Sequence, residues 1–159
     1  MPDVVFNLWL VPLAEKKGWP FVEPTDDTSN TTWHDALGGL PLKTWVDVEW
    51  SMIEIEPKIE LFNPYGQLIL RLMIDSLAQP VLQVRLKLES TEERLALCAE
   101  YIRQHGCLPA PIIVMRRNGW LDLVDGSHRM AALFHVGCPP QYRVPAWIPE
   151  IEDKCDNLV

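Results

Sequence analysis

Residues 123–132 read LVDGSHRMAA, and this stretch decides the fold. A run of apolar residues delivers the chain into Asp125-Gly126, and a helical pattern begins at once with Ser127. A strand that turns into a helix through a glycine orders everything around it. Upstream, Pro111–Met115 is a short apolar strand, and Trp120–Val124 is its return. Asn118-Gly119 lies between them, a dipeptide that favours a two-residue hairpin turn. Downstream, SHRMAALFHV (127–136) reads as a helix closed by Gly137. Cys138-Pro139-Pro140 forbids its continuation, and 142–148 is a last strand. Before the hairpin, Ser90-x-x-Glu93 has the capping-box spacing. Leu95, Ala99 and Ile102 follow at helical intervals. The spacing predicts a helix over 91–105 with Gly106 as a left-handed cap.

Farther out the signals weaken. QLILRLMIDSLAQ (67–79) suits a buried helix, with a strand as the alternative, and NPYG (63–66) suits a turn. The stretch 44–62 alternates apolar and acidic residues, so one or two strands are expected, broken near Ser51 or Pro57. VLQVRLKLE (81–89) alternates again. Residues 1–45 hold Trp9, Trp19, Trp33 and Trp45 among prolines and polar turn residues. They suggest an irregular layer anchored by indoles, with a strand at 4–10. The expected organisation is this N-terminal layer (1–45), a domain over 46–148, and an acidic tail (149–159). The fold class is α+β, a small mixed β-sheet with flanking helices.

The chain has 159 residues, 48% apolar and 23% charged, which supports a packed core and argues against wholesale disorder. Mean hydropathy is −0.01, and no apolar run approaches membrane-spanning length. No basic segment opens the chain, so a cytoplasmic location without membrane attachment is expected. The four cysteines form no C-x-x-C pair and read as free thiols. The net charge of −8 argues against a dedicated DNA-binding surface. Residues 110–148 depart from that average, with Arg116, Arg117, Arg129 and Arg143 against Asp122 and Asp125.

The chemistry-bearing residues cluster at the strand-to-helix turn. A helix start presents free N–H groups and the positive end of the helix dipole, a natural seat for an anion. Gly126 permits an unusual backbone conformation. Arg129 can offer a fork to phosphate, and Ser127 adds a hydroxyl. His128 titrates near neutral pH. Asp125 could orient His128 or hold a metal. The bland readings are an ordinary helix cap and surface ion pairs. Ser127 lacks a nucleophile elbow. His34-Asp35 is a weaker metal candidate, and His105 is explained by the dipole at a helix end. Glu54, Glu56 and Glu60 read as a solvated strand face, any one of which could act as a general base.

The stretch 91–148 resembles the ParB/sulfiredoxin-like superfamily. The resemblance rests on Gly106, Pro111-Ile112-Ile113-Val114, Gly126-Ser127-His128-Arg129, Gly137 and Val144-Pro145, in that order. The box is nearest to the sulfiredoxin wording G-C-H-R, with Ser127 where the catalytic cysteine stands, so sulfinic-acid reduction is not expected. Asn63-Pro64-Tyr65-Gly66-Gln67 is faintly similar to the N-P-x-Q-P-R element of ParB proteins but lacks its Pro-Arg. No helix-turn-helix follows the box, so a stand-alone member is expected, like the plasmid proteins that inhibit fertility and the ParB-like nucleases.

The resemblance implies binding of a nucleoside triphosphate, ATP or CTP, with Mg2+. Gly126, Ser127, His128 and Arg129 would hold phosphate, and Asp125, His128 and Arg129 would serve hydrolysis. DNA cleavage is a further implied activity, with weak DNA contact through Arg116 and Arg117. Two alternatives remain: a non-catalytic inhibitor binding a protein through the N-terminal layer, and a kinase acting on an amino-acid hydroxyl.

Overall fold

The computed structural model describes residues 1–17, 37, 40–78 and 89–151. The described chain is an α+β fold around a four-stranded mixed sheet. Its strands are β1 (Trp50–Ile55), β2 (Ile112–Arg117), β3 (Trp120–Asp125) and β4 (Val144–Pro149), in the order β1-β4-β2-β3. β2 runs antiparallel to β3 and parallel to β4, and β1 runs antiparallel to β4. β2 therefore lies inside the sheet. Its Ile112, Ile113, Val114 and Met115 are all buried, two toward each face. That is why its sequence is an unbroken apolar run rather than an alternation.

Two hydrophobic cores flank the sheet. On one face Ile112 and Val114 pack with helices α4 (Pro64–Ala78), α5 (Glu89–His105) and α6 (Ser127–Val136), through Leu70, Leu95, Ile102, Met130 and Leu133. On the other face Ile113 and Met115 pack with Val5, Trp9, Leu10 and Trp45. The helix over 91–105 is present and begins two residues earlier, at Glu89. Gly106 closes it at φ +69°, donating to the Ile102 carbonyl at 2.8 Å. The Asn118-Gly119 hairpin, helix 127–136 and its Gly137 terminus stand where the residues predict them. So does the last strand.

Three expectations fail. Residues 4–10 are helical, not a strand: α1 (Asp3–Val5) runs into a π-helical turn over Phe6–Leu10 and then α2 (Val11–Lys17). Pro12 accounts for the widening, because its ring would clash with the carbonyl four residues back in a regular helix. Val5, Trp9, Leu10 and Ala14 are buried in this segment, a helical spacing hidden within a run that is apolar but for Asn7. Second, residues 42–47 form helix α3 (Leu42–Asp47), so the alternation before Trp50 is not a strand. Trp45 decides it: the indole is fully buried and donates from Nε1 to the Leu37 carbonyl at 2.9 Å. The strand that does form passes through Ser51 unbroken and ends before Pro57. Third, NPYG is a helix start. Asn63 accepts the Gly66 N–H at Oδ1, 2.6 Å, and Pro64 occupies the first helical position. The alternating stretch 81–89 lies outside the described residues except for Glu89, which opens α5; so do the loop at 25–32, Trp19, Trp33, Cys155 and the tail beyond 151. Cys98, Cys107 and Cys138 are free thiols.

Tyr142 ties the last strand to the end of α5. Its hydroxyl accepts the Leu108 N–H at 2.9 Å. Burial pushes the phenol pKa up, against the Leu108 hydrogen bond, which favours the ionised form. A raised native pKa means the neutral phenol is preferred in the fold. Its contribution is complete below the unfolded value, about 10, and is lost as pH rises through the native value. Tyr142→Phe is expected to remove this alkaline decline and to cost about 1 kcal/mol at neutral pH by orphaning the Leu108 N–H. Thermal melts across an alkaline pH series check both effects.

Candidate functional site

The site is built where β3 ends. The ladder between β2 and β3 carries a bulge: Val114 faces Leu123, but Ile113 faces Asp125. Cross-strand partners share a face, so Leu123 and Asp125 fall on opposite faces although two residues apart. A bulge re-aims a strand end, and here it turns Asp125 out of simple alternation just before the helix.

Gly126 follows at φ +104°. A Cβ there would lie 2.6 Å from Ile112 Cγ2 and 3.2 Å from an Arg129 guanidinium nitrogen. The glycine thus serves two close approaches, one to the inner strand and one to Arg129. Arg129 folds back over the turn and donates from Nη2 to Asp125 Oδ2 at 2.6 Å, an ion pair within one helical turn. Its Nε is buried without a hydrogen-bond partner among the described residues. Across the interface between α5 and α6, burial pushes the Cys98 thiol pKa up, while the Arg129 charge pulls it down more weakly.

Helix α6 opens with no side-chain cap. Helix geometry leaves the N–H groups of its first turn without intrahelical acceptors. Ser127 at that start lines a cavity of about 190 Å3. The opposite wall is the start of α4: Asn63, Tyr65 and Gly66. Two helix N-termini therefore open on one cavity. Its β3 wall includes Asp122, whose carboxylate accepts from Asn63 Nδ2 and pairs with Arg117 at 3.4 Å. With both partners, this carboxylate adds little uncompensated negative charge.

The five residues singled out at the turn are contiguous, but they do different things. Gly126 packs, Asp125 and Arg129 pair, and Ser127 reaches the cavity; His128 is half-buried beside them. Asn63 and Tyr65 belong to the faint N-P element, whose Asn-Pro pair also signals a helix start, whereas Asp122 stands in no motif. Tertiary closure brings all three to the cavity. Arg116 and Arg117 separate, with Arg117 held by Asp122 and Arg116 exposed. Trp9 and Trp45 are buried and cannot stack on a base. His34 and Asp35 lie outside the described residues.

No three His, Cys, Asp or Glu side chains gather to hold a metal among the described residues. Asp122 and Asp125, the nearby carboxylates, are each engaged by an arginine. So engaged, these carboxylates do not offer a ready seat for a resident Mg2+. Comparison with family models, with curated proteins and with solved structures returns no match.

Asn63 is the joint between the two halves of the cavity. Asn63→Ala is expected to cost about 1–3 kcal/mol, through the lost cap and the lost donor to Asp122. Asn63→Asp keeps the cap but faces Asp122 with a second carboxylate. Its penalty should shrink as pH falls toward about 4, where carboxylates protonate. Urea midpoints at neutral and acid pH check this.

Proposed function

We propose that this chain binds a nucleoside triphosphate and hydrolyses it, with the phosphates seated between the starts of α4 and α6. The observation that carries the reading is the convergence of two helix N-termini on the cavity lined by Ser127, with α6 uncapped. The Ser127 hydroxyl and the N–H groups of Ser127 and Arg129 would donate to phosphate oxygens. Arg129, oriented by Asp125, would place positive charge beside them. His128 would handle the proton of the attacking water. At about 190 Å3 the cavity suits phosphates and leaves sugar and base outside, near the exposed Tyr65 ring.

The family resemblance supports the same reading. Gly106, Gly126 and Gly137 stand at element ends at positive φ, in the order the superfamily pattern requires. The faint N-P element also meets the box across the cavity. DNA cleavage has less behind it, because Arg117 is engaged by Asp122 and the whole chain is acidic. The inhibitor reading loses the described indoles of the N-terminal layer, Trp9 and Trp45, which face inward.

Calorimetric titration of MgATP and MgCTP tests the proposal. Native protein is expected to bind one of them in the micromolar range. Ser127→Glu should abolish that heat while keeping the melting temperature, since an acid in the first turn suits the dipole but repels phosphate. No heat with either nucleotide overturns the reading. His128→Ala should then lower phosphate release without changing affinity. Turnover only with an added hydroxyl acceptor would move the assignment to a kinase.

A further inference from the structure

A larger cavity, of about 510 Å3, lies at the hairpin end of the sheet, away from the Ser127 site. Ile53 and Ile55 of β1, Leu61 and Leu121 wall it, and Arg116 and Trp120 stand at its margin. Its volume is within the range of small-molecule sites, about 300–1,000 Å3, which the Ser127 cavity does not reach.

Its charged groups among the described residues are two, Arg116 and Glu56. Arg116 is exposed and has no hydrogen bond or ion pair among the described residues, unlike its neighbour Arg117. Glu56 is the only carboxylate on the margin among the described residues, and it is doubly engaged, by Lys58 and by Arg143 at 3.9 Å. The Lys58 hydrogen bond and charge, with help from Arg143, hold its pKa below the ordinary value, so it stays ionised and paired. Glu56 is thus matched by two cations, and Arg116 adds a third positive charge at the cavity margin, in a chain whose net charge is −8. Trp120, 43% exposed, offers an indole that neither core covers.

We propose that this cavity binds a small aromatic carboxylate. The ring would pack on the wall of Ile53, Ile55, Leu61 and Leu121, with Trp120 at the margin of the cavity. The planar carboxylate would take the Arg116 fork in bidentate fashion. A single guanidinium with no partner among the described residues matches one carboxylate better than a doubly charged phosphate.

The test uses the full chain with 3-phenylpropionate, its neutral amide and phenyl phosphate, followed by saturation-transfer NMR and calorimetry. The acid should bind about tenfold more tightly than the amide, the worth of one charge-assisted hydrogen bond. Arg116→Gln should reduce the acid to the level of the amide, and Trp120→Ala should weaken both. Both side chains are exposed, and unchanged melting temperatures will show that the variants fold. Equal binding of acid and amide, tighter binding of phenyl phosphate, or no transfer to any probe overturns the proposal.

Discussion

The approach of Gly126 to Ile112 sets the geometry on which the rest of the site depends. Backbone stands where a Cβ would collide with the inner strand at 2.6 Å. That contact lets β3 end and α6 begin within one residue, close against the inner strand β2. It also leaves room for Arg129 to fold back on Asp125. Any larger residue would separate helix from strand, and the ion pair and the Ser127 wall of the cavity would move with the helix. The positive φ adds backbone strain to that collision for every residue but glycine.

Around this contact the sheet is held from both sides. β2 contributes to each core in alternation, so the helical layer and the N-terminal layer share one strand as their common floor. The two layers differ in kind. The helical face is aliphatic and closely meshed. The opposite face is built from indoles, with Trp9 and Trp45 edge-on at 4.9 Å and Trp50 donating to the Trp45 carbonyl at 3.0 Å. Large rings fill space with few residues, which suits a layer made of short helices. The π-helical turn before Pro12 belongs to the same economy, because it seats both Trp9 and Leu10 inward.

The legible part of the chain is its second half, and the reason is local. Gly106, Asn118-Gly119, Gly126 and Gly137 all adopt positive φ, and each marks an element end that its residue type already signals. Among the described residues of the first half, no residue adopts positive φ. Val46, Val48 and Trp50 alternate as a strand would, yet burial of Trp45 winds the chain into a helix up to Asp47. The apolar run at 4–10 fits either period, and only packing against Ile113 and Met115 decides. At the site, the turn residues were readable as a helix start. The bulge that reorients Asp125 and the placement of Asn63 against Asp122 were not, since both are properties of pairing rather than of composition.

That last contact joins residues 59 apart in the chain. Strands β2, β3 and β4 with helices α5 and α6 are nearly contiguous in sequence, so their mutual contacts close short loops. The wall carrying Asn63 has to be brought in from far upstream, at a larger loop-closure cost. The cavity is therefore a seam between a locally organised half and a segment docked over distance. Seams of this kind open at lower free energy than the units they join. A ligand seated there would bridge the seam, and would stabilise the native chain by an amount that grows with the logarithm of its concentration relative to its Kd. Occupancy of this cavity and resistance to partial unfolding are, for this protein, two readings of one equilibrium.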